Sequence, residues 1–208
     1  MFNKMIHTRF KIHLNKHMFN ISNMKNELEK YVLLKVIDKI TSEPNKSFSV
    51  RGLAKELNIS SASSKSALDY MKEKQLVHLK IIGRTYQYNA DLNNSLCRQW
   101  KILFNLDEIT DSKIVENFIK KFENIYSILL YGSYAKGTND PKSDIDLLVI
   151  VQKYKKINLN FVNNLKKEAN ISILSFKEWK TKAKTNKVFY ENIIYDSIVL
   201  YGEKPVVL

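Results

Sequence analysis

The chain is short of the residues that staple, bend or break a fold. It has one cysteine, Cys97, so no disulfide framework can form and no partner stands at metal-ligand spacing; a buried thiol in a reducing, cytoplasmic setting is expected. Five glycines and three prolines are spread without an internal repeat or a low-complexity segment. No apolar run approaches the ~20 residues needed to cross a bilayer, so no membrane role is expected. The basic start has no apolar stretch followed by a small-residue cleavage site, so no secretory leader is expected either. Acidic side chains are the scarcest relative to their opposites, 21 against 34 Lys and Arg, for a net charge of +13. That excess suits an anionic partner such as nucleic acid or a phosphate-rich ligand. Heavy use of Lys, Asn and Ile, as an AT-rich genome produces, accounts for part of it.

What is present supports real cores. Of the 208 residues 44% are hydrophobic and 11% aromatic, enough for one large domain or two small ones. Residues 1–24 show neither helical nor strand period and hold four basic residues and no acid; they read as a loosely held basic extension. His13 and His17 stand four apart within it, but no Cys or carboxylate joins them as metal ligands would. Between 25 and 90 the order is helix, helix, helix, strand, strand. NELEKYVLLKVIDKI places Leu28, Tyr31, Val32, Leu34, Ile37 and Ile40 near one helical face. Ser49 and Ser60 stand where N-caps of the second and third helices would, and the strands LVHLKII and TYQYNA flank a Gly83-Arg84 turn. Residues 91–124 hold two amphipathic stretches separated by an acidic, polar turn at 107–112, and read as a helical connector between two domains. From 125 to 208 strands alternate with helices, including a helix over 158–169, which gives an α+β chain of two domains.

The three helices and the hairpin resemble a winged helix-turn-helix. That resemblance implies a third helix in the DNA major groove and a wing on phosphates or the minor groove, with Ser61, Ser63, Ser64, Lys65 and Arg84 as the DNA-facing residues. It also implies a homodimer on two half-sites. The same fold serves as a dimerisation or protein-contact module elsewhere, and that alternative stays open.

The densest chemistry lies in YGSYAKGTNDPKSDIDLLVI, residues 131–150. Alternation along a strand turns Asp144 and Asp146 to one face and Ile145 and Leu147 to the other. Two like charges at the end of an apolar strand need a cation between them, and Mg2+ takes one or two carboxylates and fills its octahedron with water and phosphate oxygens. The alternative is two solvated strand-end aspartates. Upstream, a strand-to-helix turn at Gly132-Ser133 suits a phosphate, with Lys136 adding charge.

Gly132-Ser133, ten intervening residues and Asp144-Ile145-Asp146 together resemble the signature of the polymerase-β-like nucleotidyltransferases, in particular their minimal branch. The similarity runs from about Lys120 to the C-terminus. It implies a mixed sheet flanked by helices, fused here to the winged helix, with Asp144 and Asp146 as catalytic metal ligands, Gly132, Ser133 and Lys136 on the phosphates of an NTP, ATP being the expected one, and transfer of a nucleotidyl group to a protein, RNA or small molecule. Relatives carry a third carboxylate on a later strand that helps deprotonate the acceptor; this chain has Asn170 there, and an amide cannot accept a proton. A transferase and a nucleotide-binding DNA regulator without turnover both fit. Small nucleotidyltransferases of this type often act as antitoxins on a partner toxin, which adds a protein partner to the expectations.

Overall fold

The structure is a computed structural model that describes residues 31–152, 162, 165 and 167–207. The basic extension, with His13 and His17, and most of the helix expected over 158–169 lie outside those residues.

In the N-terminal part, helices α1 (Val32–Ser42), α2 (Val50–Leu57) and α3 (Ser61–Glu73) precede an antiparallel hairpin of β1 (Val77–Ile82) and β2 (Thr85–Ala90). The caps fall where the sequence puts them. Ser49 accepts from the Gly52 N–H and Ser60 from the Ser63 N–H, each satisfying one of the free donors of a first turn. The buried residues Ile37, Ile40, Leu53, Leu68, Met71, Leu76 and Tyr88 form one core, and Phe48 bridges to Tyr88 along the hairpin's edge.

The connector breaks later than expected. Helix α4 (Ser95–Asp111) continues through the acidic stretch predicted as a turn, and the chain bends only at Ser112 and Lys113, the latter at φ 55°, before α5 (Ile114–Lys121). Burial overrides the polar composition, because Ile109 and Asp107 both lie inside. Nor is α4 a passive spacer. Its start buries Cys97 in the N-terminal core, its end buries Ile109 in the second core, and Lys101 between them donates to the Thr41 carbonyl of α1. Burial pushes the Cys97 thiol up to about 11.

The C-terminal part is a four-stranded mixed sheet in the order β5-β4-β3-β6, built from β3 (Ile125–Tyr131), β4 (Ile145–Val151), β5 (Ala169–Ser175) and β6 (Ile198–Gly202). Strand β3 is antiparallel to β4 and β6, while β4 and β5 run parallel. Ile145, Leu147, Val149 and Val151 pack with Ile109, Ile114, Phe118 and Tyr134 on one face. Leu148 and Ile150 pack with Trp179 and Ile193 on the other. Those partners come from α4, α5 and α6 (Gly132–Lys136) on the first side, and from α7 (Phe176–Thr185) and α8 (Lys187–Asp196) on the second. A strand covered on both faces reads as an unbroken apolar run, which is why LLVIV follows Asp146 directly. Among the described residues no helix is long and apolar enough to cross a membrane.

Candidate functional site

Strand β3 supplies the first half of the site. Its apolar run ends at Tyr131 in extended backbone, and the chain turns into α6 at Gly132 with φ +71°. A β-carbon there would stand 2.2 Å from Asp146 Oδ2. Backbone conformation and the nearby carboxylate therefore both demand glycine. The Ser133 carbonyl accepts from the Thr138 N–H at 3.0 Å, while its hydroxyl makes no hydrogen bond among the described residues.

Strand β4 supplies the second half. Asp144 stands just before the strand and Asp146 is its second residue; Ile145 between them is fully buried on the opposite face. The sheet register sets Asp146 beside Tyr131 of β3 and beside Asn170 of β5. The Asn170 Nδ2 donates to Asp144 Oδ2 and to Asp146 Oδ1, 3.2 Å each. The two carboxylates thus converge on one point, with Gly132 against one of them. Asn170 takes the strand position where a third carboxylate was sought. Among the described residues no group of three or more His, Cys, Asp and Glu is placed to hold a metal ion.

Two buried asparagines, with no signal in the sequence beyond a polar residue in an amphipathic helix and a turn-rich segment, pin the loop between the halves. Asn105 of α4 donates to the Tyr134 carbonyl and to Asn139 Oδ1, both at 2.9 Å, and Asn139 donates back at 3.2 Å. Asp140 accepts from the Lys142 N–H and the Ser143 hydroxyl, and those two donors hold its carboxyl below the ordinary carboxylate range. On the other side the Tyr131 ring meets the Phe189 edge at 5.9 Å, and Lys182 Nζ lies 5.0 Å from the centre of the Phe189 ring. Burial raises the Tyr131 hydroxyl, opposed by a hydrogen bond from Ser172 and aided by the charge of Asp146. Lys136, expected beside the phosphates, forms an ion pair with Asp196 at 2.8 Å that ties the end of α6 to the end of α8.

The residues expected to face DNA lie in the other half of the molecule, and they divide. Ser61, Lys65 and Arg84 are exposed and Ser63 is half-buried against Ser60, hydroxyl to hydroxyl at 2.8 Å. Ser64 is a correction. It is fully buried and its hydroxyl donates to the Val50 carbonyl at 3.0 Å, so it joins α3 to α2 and cannot face a ligand. It begins the buried stripe Ser64, Ala67, Leu68, Met71, whose helical spacing places it inward. Lys65 is paired with Asp69 one turn on, at 2.5 Å, which raises its pKa.

Residues 113–205 match the sequence model of the family described as polymerase beta, nucleotidyltransferase. A protein of Methanocaldococcus jannaschii, provisionally named a protein adenylyltransferase, is 39% identical over 56 residues, which are 24% of this chain. The match spans 38% of that curated relative's length. A crystal structure from Sulfolobus solfataricus, provisionally titled a nucleotidyltransferase, aligns over 53% of this chain and 94% of its own at 19% identity and a TM-score of 0.33. A structure titled as a toxin-antitoxin with AMP-PNP aligns over 44% of this chain and 73% of its own, at 18% identity and the same TM-score.

Proposed function

We propose that the C-terminal domain binds a nucleoside triphosphate, ATP first among them, with Mg2+, and transfers its nucleotidyl group to an acceptor. The observation that carries this reading is the convergence of Asp144 and Asp146 on one point beside the Gly132 turn, inside the residues that match the family. Asp144 and Asp146 would hold Mg2+, which when bound supplies charge neutralisation along the phosphate chain. The fit is supported by the cradle at Gly132, which a β-carbon would fill, and by the paired oxygens. Gly132 and the Ser133 hydroxyl would hold the outer phosphates, an acceptor hydroxyl attacks the α-phosphorus and displaces pyrophosphate, and its proton leaves to a basic group of the acceptor or to water, because Asn170 cannot take it. The name of the M. jannaschii relative favours a protein as acceptor. Calorimetry should give magnesium-dependent ATP affinity that disappears in the D144A/D146A double variant. Equal affinity with and without magnesium, in both proteins, would overturn the assignment.

Asn170 favours a second reading, in which the domain binds nucleotide, or a protein partner, without turnover. Incubation with ATP labelled at the α-phosphate separates the two: transfer to any acceptor supports the enzyme, and silence across nucleotides and acceptors supports the binder.

For residues 31–90 we propose a winged helix-turn-helix that contacts DNA through the exposed side of α3 and the hairpin turn. Support comes from exposed Ser61, Lys65 and Arg84 and a first turn of α3 without acids. DNA affinity of the whole chain should fall steeply with salt, and R84A should lower the salt slope by about 1. No affinity even at low salt would leave dimerisation or a protein contact as the module's role.

A further inference from the structure

We propose that Asn170 competes with the cation at Asp144 and Asp146 instead of serving as its ligand, so that the carboxylate pair is preassembled without metal and takes up a cation well only when a nucleotide arrives with it. The inference rests on the reading of the pair as a metal site. One amide nitrogen has two hydrogens, and here each is used on a different carboxylate, at 3.2 Å to Asp144 Oδ2 and 3.2 Å to Asp146 Oδ1. The nitrogen therefore occupies the space between the two carboxylates, and its donors relieve the repulsion that two adjacent carboxylates otherwise suffer. Register keeps Asn170 the direct neighbour of Asp146 in the parallel pair of β4 and β5. Turning the amide over would aim its carbonyl oxygen at two carboxylates, which is repulsive until a cation is already present. With no third carboxylate, cysteine or histidine in the cluster among the described residues, the cation has to displace two hydrogen bonds and gains no third ligand of full charge. Phosphate oxygens of the nucleotide make up the difference, which couples the two binding events.

The test is Mn2+ binding to the whole chain without nucleotide, read from the loss of the free-ion paramagnetic resonance signal, for wild type, N170A and N170D. Asn170 is exposed, so both variants should fold, and thermal melts check that they do. Removing the competing amide should tighten Mn2+ by about tenfold in N170A, and the added charge should tighten it further in N170D. Equal or weaker binding by N170A would show that the amide is inert or is itself a ligand, and would overturn the inference. A separate arm isolates the underlying reading: if D144A and D146A bind Mn2+ as wild type does, the pair is not the metal site and both statements fail.

Discussion

Gly83 and Gly132 both have positive φ, +60° and +71°, yet the two turns do different work. At Gly83 the hairpin simply reverses, and a β-carbon would meet nothing within 4 Å. At Gly132 the turn brings the chain so close to Asp146 that a β-carbon would collide with its carboxylate. A turn glycine in open space serves the backbone alone, whereas one against a charged side chain marks the place where backbone and chemistry meet.

Alanine at each position separates the two turns most strongly. Either change costs on the order of 1 to 3 kcal/mol from the positive φ, visible in chemical denaturation. Gly132→Ala should also push Asp146 aside and weaken magnesium-dependent ATP affinity by about tenfold to a hundredfold, the scale of one lost contact to a charged group. Gly83→Ala should leave that affinity unchanged. A matching loss at Gly83, or none at Gly132, would remove the distinction.

The next effect concerns the joint between the two regions. Lys101 is buried, and desolvation lowers its pKa to about 8 from the ordinary 10.5. The unfolded chain therefore binds more protons between those values, so Lys101 should make stability rise with pH across the window from about 8 to about 10.5. Below it the cost of the buried charge is present in full, about 3 kcal/mol. Lys101→Met should flatten that rise in denaturant titrations at pH 7, 9 and 10.5; an unchanged slope would show that the charge is better solvated than its burial indicates.

Smallest is the contrast within α3. Ser64→Ala should cost about 1 kcal/mol by leaving the Val50 carbonyl without its donor, and Ser61→Ala, at an exposed position, should be near neutral to stability. If Ser64→Ala were neutral and also weakened DNA binding, the inward assignment of Ser64 would be wrong.

How legible each region was follows from how constrained its residues are. Asp144 and Asp146 interrupt a strand that is otherwise wholly apolar, so their presence at its start needed a reason that the sequence itself could supply. At the start of α3 serines are ordinary surface residues, and the four at 60, 61, 63 and 64, with one alanine between, carry no mark to separate the cap, the exposed one, the half-buried one and the buried one; only the helical phase relative to Leu68 and Met71 does. The break expected at 107–112 falls at 112–113 for a related reason, since Asp, Thr and Ser lower local helix propensity but Ile109 has a core to enter. Asn105 and Asn139 were invisible because a reciprocal amide pair is a property of two segments 34 residues apart.

The helices and hairpin of residues 32–90, the caps at Ser49 and Ser60, the glycine turn and the order of the carboxylates follow from local sequence, because each depends on neighbours within a few positions along the chain. Tertiary structure alone decided that α4 belongs to both cores, that Lys136 is paired with Asp196, and that Asn170 bridges Asp144 and Asp146. Those contacts join residues from different elements, and only the register of the sheet and the burial of a shared helix bring them within reach.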